Sequence, residues 1–420
     1  MLSYNTLDRR ELSRALGERD RDRYRLWLNA VYLIAFGTLT FNLMLAFVNS
    51  NVFTISESHV ILAEMALLGA ALLLALSRNA ALYVILAIYI SYMAFILALR
   101  PELDLKAIRD FLIPIVFYFI GRKFRRIEDA DRLIWLSAIL ILAIGFFEFF
   151  FLELYTQFID IFGYYVARGT LEAGSNFVEG SNLFISSTRL EGRNFLNFLG
   201  TLRASSVFLE PVTMGNFGAF LCLWALFRSG MRYRVLMFVA AFIAIVMPDA
   251  RFGMFVSFAL FAAAAAGLII PRILWWPLPL LIVLALALYG GWSSQIIWED
   301  DFTGRLLRAS QLLQYVTMEA FFGVQAFGPI LADNGFAYSI VQIGGIGLLA
   351  LWSLFVFAPY NNPKALQFKA LAITYISLLM TVSNSFYSIK MAALFWIAAG
   401  AADAMGTFRS CTGTNGSQKI

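Results

Sequence analysis

The sequence predicts an all-α, polytopic integral membrane protein, on three observations. Of its 420 residues, 60% are hydrophobic and only 14% charged, with a mean hydropathy of +0.75, a balance that excludes a water-soluble globular domain. Apolar runs near the length of roughly 20 residues that a spanning helix needs recur about twelve times. Forty-one phenylalanines and nine tryptophans suit lipid contact and the aromatic belts at the two interfaces.

Taken in order, residues 1–27 form a polar tail with seven arginines from Arg9 to Arg25 mixed with acids. This unlike-signed run does not resemble a signal peptide, and a cytosolic tail with a short surface helix is expected. The apolar runs follow at Leu28–Val48, His59–Leu76, Ala80–Leu99, Phe111–Gly121, Leu133–Leu152, Val207–Phe227, Val235–Pro248, Phe252–Ile270, Ile273–Tyr289, Phe336–Phe357, Ala370–Val382 and Ile389–Met405. They make residues 28–406 one transmembrane domain, with 407–420 as a second cytosolic tail. Roughly two-thirds of the 32 Lys and Arg fall in the segments that an inside N-terminus would keep inside, including Arg78, the Arg122–Arg126 cluster, Arg228 and Arg272. Both termini are therefore expected in the cytoplasm. The net charge of +5 follows from this placement and is no sign of nucleic-acid affinity. Cys222 and Cys411 lie too far apart in this topology to bridge, and the lone His59 cannot build a zinc site. Glu64, Glu148 and Asp403 fall inside spans, where they read as polar residues of helix packing, Glu148 being the one within reach of an outer cavity.

Two outer loops are long, 153–206 and 290–335, and long loops in compact proteins usually carry function. The first ends in Arg203-Ala-Ser-Ser-Val-Phe-Leu-Glu210-Pro211-Val-Thr-Met-Gly215-Asn-Phe-Gly218, where charge meets the start of an apolar helix. Charge at the membrane edge marks a functional site by default; the plainer reading is a kinked helix with a snorkelling arginine. The second loop carries Leu306, Ala309, Leu313, Val316 and Ala320 at helical spacing, an amphipathic helix over 304–323 that caps a cavity or serves as a solvated strut. Between the loops the short hairpin Pro248-Asp249-Ala250-Arg251 joins two spans. Arg203, Arg251 and Arg305 each open or close a helix, and guanidinium groups suit forked contact with a diphosphate, so a shared basic pocket is expected. Glu299-Asp300-Asp301 reads as a solvated loop rather than a cation site.

The Arg203…Phe208-Leu-Glu210-Pro211…Gly215 run, the Ala250-Arg251-Phe-Gly253 hairpin and the Gly304-Arg305…Asp333-Asn334…Gly344-Gly-Ile-Gly347 segment together resemble the bacterial O-antigen polymerase and ligase superfamily, over Arg189 to Gly347. Ala250 stands where the family often has serine, and Asp333 where the ligase branch usually has histidine before the asparagine, so the polysaccharide polymerase branch is favoured. The resemblance implies glycan transfer between undecaprenyl-diphosphate-linked oligosaccharides at the outer face of the bacterial inner membrane. No metal and no cofactor enter that reading. Its partners are the lipid-linked donor and acceptor, membrane lipid and a chain-length regulator, and nucleic acid is not among them. Fixed positive charge must neutralise the departing diphosphate, for which Arg203, Arg251, Arg305 and Arg308 are chosen, with Arg189, Arg193 and Asn334 as further substrate contacts. A carboxylate should orient or deprotonate the acceptor hydroxyl, Glu210 first and Asp333 second. The alternatives are a ligase on the same fold and a lipid-linked sugar flippase, though no internal repeat of the transporter kind is visible.

Overall fold

The computed structural model describes residues 4–100, 105–175, 180–188, 200–293, 302–314, 316–324 and 333–405. The chain is 77% helical, and among the described residues the only extended pairing outside helices is an isolated bridge between Thr188 and Leu202.

Every apolar run of the sequence falls on a helix. In chain order these are α1 (Tyr4–Asn51), α2 (Glu57–Ala75), α3 (Ala80–Leu99), α4 (Leu105–Arg122), α5 (Ile127–Phe150), α6 (Leu152–Phe158), α7 (Ile161–Ala167), α8 (Pro211–Phe227), α9 (Arg234–Val246), α10 (Arg251–Ala266), α11 (Arg272–Trp275), α12 (Leu278–Trp292), α13 (Phe302–Leu313), α14 (Met318–Phe321), α15 (Gly335–Val356), α16 (Lys364–Val382) and α17 (Ile389–Ala404). Seven segments among the described residues are long and apolar enough to cross a membrane: Glu18–Asn51 of α1, α2, α3, α5, Arg272–Trp292, α15 and α16. Helix α1 runs unbroken through the expected tail and the first apolar run. Its polar part packs on the basic cluster after α4, with Arg125 bonded to Asp20 at 2.6 Å and Tyr24 donating to Asp129 at 2.7 Å.

Two of the shorter helices lie inside. All of α17 and all of α8 except Val212 are buried, whereas α2, α3 and the 272–292 segment present most of their surface outward. Outward-facing leucines, isoleucines and phenylalanines on these segments, such as Leu62, Ile88 and Leu284, belong against lipid rather than water. The innermost crossing is made possible by glycine: a Cβ on Gly121 of α4 would meet the Ile397 carbonyl at 2.1 Å, and one on Gly400 of α17 would meet the Tyr118 carbonyl at 2.0 Å. Charge in this interior is paired. Lys369 meets Asp403 at 2.7 Å, Asp403 also accepts from Tyr118, and Asp131 accepts from both Arg228 and Trp224. Glu64 pairs with Arg109.

At Gly344, φ 71° and ψ 156° break α15. Such a break frees carbonyls that an apolar surrounding cannot satisfy. Arg100, at the end of α3, donates to the carbonyls of Val341 (2.6 Å), Gln342 (3.0 Å) and Gly323 (2.8 Å), and Tyr92 donates to that of Ile343 at 2.7 Å. The kink and the clamp thus belong together, and they fasten α3 to one half of α15.

Candidate active site

The residues 203–210 are held from two sides. Glu148, fully buried near the end of α5, accepts from the Ser205 amide (2.8 Å), the Ser205 hydroxyl (2.6 Å) and the Ser206 amide (2.5 Å). Three donors on one buried carboxylate are what such a charge requires. On the other side the Arg203 guanidinium donates through Nε to the Pro248 carbonyl at 2.7 Å and through Nη1 to the Ser186 carbonyl at 2.9 Å, and the Ala204 amide reaches the Met247 carbonyl. Segments 45 residues apart in sequence are thereby stitched together. Arg203 is 5% exposed, and its guanidinium is directed at backbone carbonyls that fix the hairpin before Arg251.

Three non-glycine residues among those described have positive φ, Ser206 (55°), Leu209 (63°) and Asp249 (45°), and all lie in these two segments. Each costs about 1–3 kcal/mol and persists only where surrounding contacts enforce it, a pattern typical of functional sites. The fit between the segments is close. A Cβ on Gly215 would fall 2.1 Å from the Ala250 Cβ, and one on Gly253 would meet the Gly215 carbonyl at 2.8 Å.

Glu210 is the N-cap residue of α8, followed by Pro211 in the first turn, where proline's missing N–H costs nothing. Its Oε1 accepts from Lys390 at 3.0 Å and from Tyr165 at 2.6 Å, and its Oε2 from Thr213 at 2.9 Å. Lys390 Nζ also donates to the Phe208 carbonyl at 3.1 Å. Three donors, one of them the Lys390 ammonium, anchor the Glu210 carboxyl, which suits it to orienting a hydroxyl. Its side chain remains 27% exposed, against 7% for Lys390. Arg168 completes the group, its guanidinium 5.0 Å from the Tyr165 ring centre and 5.6 Å from that of Tyr164.

The other expected residues divide. Arg251 is exposed on the first turn of α10, beside the clamped hairpin. Arg305 is half-buried and Arg308 exposed on α13, which packs on α12, α15 and α16, whereas Arg203 and Arg251 belong to the α8–α10 side. Asp333 is exposed. Asn334 is fully buried: its Oδ1 caps α15 by accepting from the Phe336 and Ala337 amides, and its Nδ2 donates to the Ala309 carbonyl. These bonds give Asn334 a capping role. Arg189, Arg193 and the 299–301 acids lie outside the described residues. The single amphipathic helix expected over 304–323 is two helices, because Thr317 caps α14 by accepting from the Ala320 amide.

Lys390, Tyr165 and Arg168 were not singled out as site residues by sequence reasoning. Lys390 carries a usable signal, a lysine on the first turn of an apolar helix without an acidic neighbour in sequence. Tyr165 and Arg168 carry none.

Comparison with known proteins adds no relative. No family model matches the chain, and neither a curated protein nor a solved structure is similar to it.

Proposed function

We propose that this protein is a membrane glycosyltransferase that moves a glycan from one polyprenyl-diphosphate carrier to the end of another, a polysaccharide polymerase with both termini on the cytoplasmic side and twelve crossings. The observation that carries this reading is the Arg203 clamp, which sets the strained Glu210 segment beside the strained turn that presents Arg251. A carboxylate anchored by three donors and an exposed guanidinium on adjoining helix starts match the two demands of the reaction. The bond from the sugar anomeric carbon to the diphosphate breaks, and one to the acceptor hydroxyl oxygen forms. The diphosphate leaves with the electron pair, its growing charge met by Arg251 and, from α13, by Arg305 and Arg308. Glu210 orients the acceptor hydroxyl, whose proton passes to solvent through the exposed Asp333. Lys390 and Arg203 act by positioning, the first holding Glu210 and the second holding the hairpin.

The test is incubation of the purified full chain with lipid-linked repeat units alone, without nucleotide sugar. A ladder of products supports the reading. Unchanged repeats that instead change sides in reconstituted vesicles support a flippase and overturn it.

A further inference from the structure

A cavity of about 770 Å³ lies away from this site, between α3, α4 and the half of α15 beyond the Gly344 kink. Its walls are apolar, among them Ile85, Pro114, Phe119, Leu351 and Trp352. Its volume is within the range of roughly 300–1,000 Å³ typical of ligand sites. Ala350, Leu354 and Phe357 are lining residues exposed at the protein surface, so the cavity opens sideways toward lipid.

The two ends differ. At one end Phe111, Tyr338 and Tyr387 pack as a three-ring roof, with centroids 4.6 to 6.4 Å apart, and the Arg100 and Tyr92 clamp seals α3 to α15 on the same side. At the other end the lining includes Arg122, which donates to the Pro359 carbonyl at 2.6 Å, and Arg272 lies over the rings of Phe357 and Tyr360 at 5.6 and 5.4 Å. Arg122 and Arg272 thus both contact the 357–360 segment that follows α15. A closed roof, an apolar shaft, a side opening and a cationic mouth describe a slot for a lipid whose head lies at the mouth. Basic pockets between membrane helices bind anionic head groups.

We infer that this groove is a binding site for an anionic diacyl phospholipid of the leaflet on the Arg122 side, its phosphate at Arg122 and Arg272 and an acyl chain along α4. The carrier of the proposed reaction is a different occupant, because neither Glu210 nor Arg251 lines the groove. The site goes beyond the transfer reaction and stands if that reading fails.

Native mass spectrometry of the full chain in detergent, titrated with dioleoyl-phosphatidylglycerol or dioleoyl-phosphatidylcholine, tests it. The wild type is expected to bind the glycerol lipid roughly tenfold or more tightly, the scale that two basic residues supply. Arg122→Gln with Arg272→Gln removes the preference, glutamine keeping an N–H for Pro359. Ala350→Trp, at a lipid-exposed position, fills the groove and weakens binding of both lipids while the protein stays monodisperse. Equal affinity of the wild type for both lipids, a preference retained in the double variant, or displacement of the phospholipid by undecaprenyl diphosphate would overturn the inference.

Discussion

The ion pair between Lys390 and Glu210 is the residue on which the site's charge balance turns. Lys390→Met leaves Glu210 with Tyr165 and Thr213 but no cation. Breaking a fully buried pair typically costs about 3–5 kcal/mol; with Glu210 partly exposed, about 2 kcal/mol is expected, read as a lower melting temperature in detergent. Glu148 gives a contrast. Glu148→Gln turns a donor toward donors from Ser205 and Ser206, and should cost about 1–3 kcal/mol and lower activity together. Arg251→Ala, at an exposed position, should lower activity and leave the melting temperature unchanged.

Among elements, α8 and the 248–251 turn fit through the absence of side-chain atoms. Gly215→Ala should abolish activity by forcing its methyl into Ala250, and Ala250→Gly in the same chain should restore most of it. A double-mutant cycle on activity and melting temperature reads this coupling; additive losses would show that the contact is not the cause. Elements were the most legible level of the sequence, since the apolar runs fall on helices, Ile273–Tyr289 being divided between α11 and α12. What failed were the joins. The helix expected over 304–323 broke at Thr317 because a local cap competes with the apolar period. The pairing of Arg203 with Pro248, and of Glu210 with Lys390, spans 45 and 180 residues, and no periodicity encodes contacts at that range. For the same reason Arg203 and Asn334 were assigned to substrate: the sequence displays their donors and hides the carbonyls and amides that occupy them.

For the whole molecule, the arrangement is one of buried helices α8, α16 and α17 inside helices such as α2, α3 and α12 that face outward. Glycine crossings and paired charges belong to the inside, Leu, Ile and Phe to the outside. The proposed orientation, read from the basic segments, predicts opposite labelling of two exposed sites. In sealed, right-side-out vesicles an impermeant maleimide should modify Glu172→Cys and spare Gly230→Cys until the vesicles are opened. Both positions are exposed, so equal labelling would contradict twelve crossings with the termini inside.

The most direct measurement compares wild type, Arg251→Ala and Arg251→Lys in the purified assay with lipid-linked repeat units. A product ladder from wild type, none from Arg251→Ala and little from Arg251→Lys is the predicted result, since one ammonium does not replace a forked guanidinium. Polymer of normal yield from both variants would contradict the account.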